Sequence, residues 1–261
     1  MTAGVLAVAT LATLILGVSK TGVPSVGAFG IAVLALVMPP VESSGVVLPV
    51  LIVGDLVALS LYGRHADWRV LRRLVPSVVV GVVLGYLALR LLDEGWGGRL
   101  VGALLVAAGL GEVVRRWAVR RAAQHAAAEG RGPGWAPEPP PGRGHAAVQH
   151  ALGAAAGLST MVANAGGPPM TLYLLRARLS TAALMGTTTW FFFVVNLIKV
   201  PFSAGLGLIT AQSLPTSAAL LPGLLAGAAL GWLFAARVSR ALFEAVALGG
   251  ATVAGLWLLV R

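Results

Sequence analysis

Cysteine is absent from the 261 residues, so the chain can build no disulfide, thiolate metal site, cysteine nucleophile or iron–sulfur cluster. Charge is scarce as well. Asp, Glu, Lys and Arg together make up 11% of the residues, against about 25% in a soluble domain. The four histidines, His65, His125, His145 and His150, fall in loops or at a membrane edge. That placement argues against a metal site in the core of a bundle and against a histidine-based intramembrane hydrolase. What fills the chain instead is apolar: 57% of residues are hydrophobic, in runs that recur along nearly its whole length. Many runs approach the roughly 20 residues needed to cross a bilayer core. A soluble enzyme, a disordered chain and a secreted disulfide scaffold are excluded, and an all-α polytopic membrane protein is what remains. The net charge of +10 sits mostly in short loops between apolar runs, which is the positive-inside signal and not a nucleic-acid patch. The N-terminus lacks a charged n-region and a clear cleavage site, so the first apolar run is read as a retained segment.

Ten apolar segments can be traced, at 2–18, 23–39, 45–62, 71–92, 97–117, 147–162, 167–177, 181–200, 214–236 and 241–260. The first two are separated only by Ser19-Lys20-Thr21-Gly22, and the sixth and seventh only by the run around Asn164. Short apolar segments joined by a polar, Gly/Pro-bearing break predict half-helices or helical hairpins that meet inside the membrane. Residues 118–146 differ: Arg120, Arg121, Arg131 and Arg143 accompany Pro133, Pro137, Pro139, Pro140 and Pro141. This reads as an extended polar linker between a first membrane repeat, 1–117, and a second, 147–261. The Arg64/Arg69/Arg72/Arg73 loop and the linker are strongly basic and are assigned to the cytoplasm, which leaves both termini outside.

The halves match each other. Pro76, Gly81 and Gly85 align with Pro222, Gly227 and Gly231; Gly17-Val-Ser19 aligns with Gly157-Leu-Ser159; and Asp55-Leu-Val aligns with Asn196-Leu-Ile. The offsets are 146, 140 and 141 residues. The loop charges run the matched segments in opposite directions, so the expectation is two inverted-topology repeats, each a hairpin of short or half-helices plus three transmembrane helices. The matched glycines are expected chiefly to let helix backbones approach closely in lipid.

Lysine occurs only twice against seventeen arginines, and both lysines lie in apolar context. A charge at the centre of a membrane helix costs about 2.5–3.5 kcal/mol on insertion scales, so each is a functional candidate. Lys20 sits at the tip of the first hairpin, where Ser19, Thr21 and Ser25 add hydroxyls and Pro24 favours a helix start. Helix N-termini plus an ammonium make an anion site. The other readings of Lys20 are an internal ion pair with Asp55 or snorkelling to an interface. In the second hairpin Gly166 and Gly167 break the chain, Pro168 starts the next half-helix, and Thr160 stands at the position matching Lys20. Asn164 either donates its amide to a ligand oxygen or caps the following helix. Asp55 is either a proton carrier or the partner of a buried cation. Lys199, near the outer end of its segment, is expected to snorkel, and Glu42 to lie at the external surface. Thr187, Thr188 and Thr189 bond to their own helix carbonyls or line a path.

Several of these runs carry a family likeness. Gly17-x-Ser19-Lys20-x-Gly22-x-Pro24, then Leu34-Ala-Leu-Val-Met38-Pro39-Pro40-Val41-Glu42, Leu51-Ile52-Val53-Gly54-Asp55-Leu56-Val57-Ala58, Tyr62-x-Arg64-His65-Ala66-Asp67-Trp68 and Asn164-Ala165-Gly166-Gly167-Pro168 resemble the TauE/SafE sulfite-exporter family of bacterial permeases. The likeness spans essentially the whole chain, and Thr21 departs from a second glycine common in related members. It implies movement of sulfite, sulfoacetate or similar sulfur oxoanions and organosulfonates, often outward and with protons as a coupling ion. Together with the residues, it predicts an alternating-access transporter in a bacterial plasma membrane. The predicted binding set is Lys20, Ser19, Thr21, Gly22, Asn164, Gly166 and Gly167. Asp55 is assigned to proton coupling or an ion pair, and Asn196, Thr187 and Thr188 to the path. The expected partners are a small anion, protons and the bilayer, with no nucleic acid, and no catalytic residue, metal or cofactor is expected. A passive anion channel and a non-transporting scaffold docking through the linker are the rival readings. An intramembrane enzyme is disfavoured because the apolar segments hold no Ser/His pair or metal-ligand cluster.

Overall fold

The computed structural model describes residues 2–22, 26–91, 99–104, 143–176 and 179–234, with scattered helical positions from 96 to 128 and at 256 and 260. Among the described residues every regular element is helical. In chain order these are α1 (Ala3–Thr21), α2 (Gly27–Val37), α3 (Pro40–Tyr62), a 3₁₀ turn at Gly63–His65, and α4 (Trp68–Leu91). The second half follows with α5 (Arg143–Ala163), α6 (Gly167–Arg176), α7 (Thr181–Gly205) and α8 (Leu214–Phe234). Five helices, α1, α3, α4, α7 and α8, contain spans long and apolar enough to cross a membrane. The polytopic all-α reading therefore holds. The described positions of the 97–117 segment are helical, while the 241–260 segment lies outside the described residues except Leu256 and Val260.

Local chemistry sets the boundaries. Thr2 caps α1 by accepting from the Val5 amide at 3.4 Å, and Ser180 caps α7 by accepting from Ala183 at 3.3 Å. Asp67 caps α4, its Oδ1 accepting from the amides of Arg69 at 2.9 Å and Val70 at 3.1 Å. Pro40 opens α3, where a missing N–H costs nothing.

Two expectations are corrected. Each hairpin has one long and one short arm, 19 residues in α1 against 11 in α2 and 21 in α5 against 10 in α6. The polar run at Ser19-Lys20 does not stop α1: Lys20 pairs with Asp55 of α3 and the helix continues to Thr21. The extended linker does not hold at its ends: Arg121, Gln124, His125 and Ala128 are helical, and α5 already begins at Arg143. Alanine-rich sequence favours the helix there over the extended form.

The helices sort into two apolar clusters. One joins α1, α2, α3, the α8 residues Leu220 and Leu224 and, from the tip of the second hairpin, Val162, Ala163 and Ala165; the other joins Ala156 and Met161 of α5 with α6, α7 and the α4 residues Leu71, Leu74, Val78 and Val82. Each hairpin thus packs against a helix of the opposite half, α1 on α8 and α5 on α4. The contacts are the close backbone approaches expected of small residues. A Cβ on Gly17 would strike the backbone of Leu224 and Ala228, and one on Gly227 the backbone of Leu14. Correspondingly, Gly157 faces the backbone of Val78 and Val82, and Gly81 that of Ala154 and Leu158. Between the clusters α3 and α7 cross antiparallel, since Gly63 accepts from the Trp190 indole at 3.0 Å at one end while Gly45 abuts Leu208 at the other.

Adding one methyl to such a seam forces backbone apart, at about 1–3 kcal/mol. Gly227→Ala should therefore lower the thermal unfolding midpoint in detergent, while Gly4→Ala, with open space around it, should leave it unchanged or raise it. Equal midpoints for the two variants would contradict the packing role.

Candidate functional site

The two hairpin tips and the α3/α7 crossing enclose a cavity of about 70 Å³, several times the roughly 10–15 Å³ that one water needs. From the first hairpin it is lined by Ser19 and Lys20 in the last turn of α1 and by Gly27 and Ala28 in the first turn of α2. From the second it is lined by Thr160 and Asn164 at the end of α5 and by Gly167 at the start of α6. Two helix N-termini, α2 and α6, thus meet one cavity and bring partial positive charge to it. Asp55 from α3 and Thr188, Thr189, Phe192 and Asn196 from α7 complete the polar and aromatic wall.

A hydrogen-bonded network of charged and amide groups runs across this wall. The Lys20 ammonium pairs with Asp55 Oδ1 and lies 5.0 Å from the Phe192 ring centroid. Asn196 Nδ2 donates to the other carboxylate oxygen, Oδ2, at 2.7 Å. On the far side Lys199 donates to Asn164 Oδ1, to Asn196 Oδ1 at 3.4 Å and to Thr160 Oγ1 at 3.5 Å. Asn164 in turn donates from Nδ2 to the Ser44 carbonyl at 3.2 Å and hydroxyl at 3.0 Å. It does so from a left-handed backbone conformation, φ 49°, which turns the chain from α5 toward α6.

The predicted site residues divide into two groups. Lys20, Ser19, Asn164, Gly167, Asp55, Asn196 and Thr188 all line the cavity. Thr21 does not: it faces α8, donating to the Ala228 carbonyl at 2.7 Å, while its own carbonyl accepts from Tyr62 at 2.7 Å. Gly22 and Gly166 are close-packing positions against Gly231 and Thr160. Thr187 is buried and accepts the Asp67 amide at 2.9 Å, tying α7 to the start of α4. Thr189 bonds to its own helix at Met185. Pro24 and Ser25 lie outside the described residues.

The expectation for Lys199 is overturned. It is 1% exposed, and its ammonium is bonded to Asn164, Asn196 and Thr160. The apolar segment is traced only to 200 in the sequence, but α7 continues through Pro201 to Gly205 and leaves Lys199 well inside. Its importance has a trace in the sequence: Lys20 and Asp55 are separated by 35 residues, and so are Asn164 and Lys199. Phe192 and Ser44 carried no comparable signal.

The wall's hydrogen-bonding sense follows from which atoms are taken. Both carboxylate oxygens of Asp55 and the amide oxygens of Asn164 and Asn196 are occupied by donors. Lys20 has given one of its three N–H groups to Asp55, and Asn196 one of its two, which leaves N–H groups at the cavity. Among the described residues no cluster of three or more His, Cys, Asp or Glu could hold a metal. A wall of donors with its acceptors occupied suits an anion.

The family described as Sulfite exporter TauE/SafE has a model that matches residues 5–258, nearly the whole chain, and the chain belongs to that family. No curated protein and no solved structure matches it. Membership implies a membrane exporter for sulfite or a related sulfur anion, a transporter and not an enzyme.

Asp55, 1% exposed, lies between the partly buried Lys20 ammonium and the buried Lys199, and removing one partner of a buried ion pair costs about 3–5 kcal/mol. Asp55→Asn should lower the unfolding midpoint clearly, and adding Lys20→Met to it should restore part of the loss. A single variant as stable as wild type would contradict the role of Asp55 as counter-charge.

Proposed function

We propose that this member of the sulfite exporter family carries a small sulfur oxoanion or organosulfonate outward, binding it in the cavity between the two hairpins. The observation that carries the reading is Lys20, an ammonium whose side chain keeps 12% exposure at the wall of a closed apolar core. It stands where the N-termini of α2 and α6 converge. Thr188, Asn196 and the first turn of α2 face the anion's oxygens, with Ser19 and Gly167 lining the cavity beside them. Phe192 beside Lys20 excludes water and strengthens the electrostatics. Thr21, Gly22, Gly166 and Thr187 act behind the site, holding hairpins and loops in place.

The reading includes two inverted repeats and alternating access. The antiparallel crossing of α3 with α7, at the matched pair Asp55 and Asn196, supports the inversion. So does the exchange of α8 and α4 between the two halves, α1 packing on α8 and α5 on α4. Rocking of one cluster against the other about this crossing would open the cavity to alternate sides. Asp55 is proposed to hold Lys20 when the site is empty and to take up a proton when an anion claims the lysine. The linker is placed in the cytoplasm and both termini outside, by loop charge.

The test is thermal stabilisation of purified protein by sulfite, sulfate, sulfoacetate, acetate and chloride, for wild type and Lys20→Met side by side. Wild type should be stabilised selectively by sulfur oxoanions, and Lys20→Met should fold but lose the effect, since Asp55 retains Asn196 and Lys199 nearby. Stabilisation undiminished in Lys20→Met would remove Lys20 from the site. Two folded proteins indifferent to every anion would contradict the transport reading.

A further inference from the structure

Lys199 does not line the cavity, yet Asn164, Asn196 and Thr160, the three groups that accept its hydrogen bonds, all do. An ammonium has three donors and no acceptor, and here each donor meets one oxygen of the cavity wall. The consequence is directional. An amide beside a buried ammonium must present its oxygen to it, because an NH₂ group there would set two donors face to face. Lys199 therefore fixes the orientation of Asn164 and Asn196 together. Asn164 then has its NH₂ toward Ser44, and Asn196 has its NH₂ toward Asp55 and the cavity. Neither amide can turn an oxygen toward the ligand.

The second effect is charge. Lys20, Asp55 and Lys199 are the ionisable side chains of the network, and their formal sum is one positive charge. Without Lys199 the Lys20–Asp55 pair would be neutral, and an entering anion would have to compete with Asp55 for Lys20 unaided. With Lys199 present on the other side of Asn196, the carboxylate has a second cation nearby when the anion engages Lys20.

We propose that Lys199 is the specificity-determining positioning residue of the site: buried behind the wall, it holds the oxygens of Asn164, Asn196 and Thr160 away from the ligand, keeps the Asn196 NH₂ at the cavity, and supplies the charge that makes the cavity prefer an anion over a neutral molecule of the same shape. This rests on the anion-transport reading above and names how that site discriminates.

Methanesulfonate and methanesulfonamide nearly share size and shape but differ in charge, so the ratio of their affinities reads the discrimination directly. Binding of both should be measured on the purified full-length protein for wild type, Lys199→Met and Lys199→Gln. Wild type should favour the anion. Both variants should lose about tenfold or more of that ratio, the effect of one charge-assisted contact. The neutral compound should bind the variants as well as or better than it binds wild type. A merely structural lysine would weaken both ligands together and leave the ratio unchanged, which would overturn the assignment while leaving the transport reading intact. Wild type without preference for the anion would overturn both. Should Lys199→Met fail to fold, Lys199→Gln, which keeps two of the donors, decides alone.

Discussion

Three charges held in an apolar interior are the constraint around which the rest of this molecule is arranged. Lys20, Asp55 and Lys199 come from α1, α3 and α7, and each would be costly alone at membrane depth. Asp55 is 1% exposed, and its two oxygens are both occupied, one by Lys20 and one by Asn196. Asn196 and Asn164 then carry the network to Lys199. The helices that bear these groups can shift against one another only if each charge exchanges one partner for another. That ties the register of α3 against α7 to the chemistry of the cavity.

The scaffold supports this by pairing each hairpin with a helix from the other half. Gly17, Gly227 and Gly231 let α1 lie backbone to backbone on α8, and Gly157, Gly81 and Gly85 do the same for α5 on α4. Interfaces built on glycine are rigid and close, which suits a cluster that moves as one body. The crossing of α3 and α7 is where the charged and amide groups meet, and their hydrogen bonds can be exchanged between partners. A mobile seam is better placed there than at the glycine interfaces.

Much of this was legible in the chain. Apolar runs set the all-α class, and the matched Pro/Gly spacings pointed to the seams that the glycines form. The isolated Lys20 and Asp55 marked the site because so few charges occur in apolar context. Other parts were not legible for identifiable reasons. Lys199 was placed at a helix end because its apolar segment was traced only to 200, whereas α7 runs on through Pro201 to Gly205, as a membrane helix does when neighbours satisfy the freed carbonyl. Thr21 and Thr187 are polar residues beside the site whose partners, the Ala228 carbonyl and the Asp67 amide, lie on elements far away in sequence. Only the fold decides which side of a helix they face. The lengths of the hairpin arms likewise depend on tertiary partners, since Lys20 continues α1 only because Asp55 receives it.

The central claim is that the cavity is a site an anion visits and leaves on alternate sides of the membrane. The most direct measurement is exchange of radiolabelled sulfite by the purified protein in sealed proteoliposomes. The account predicts saturable uptake that is accelerated when unlabelled sulfite is loaded inside, since a bound carrier returns faster than an empty one. Flux that rises linearly with concentration and ignores internal sulfite, or no flux above protein-free vesicles, would contradict it.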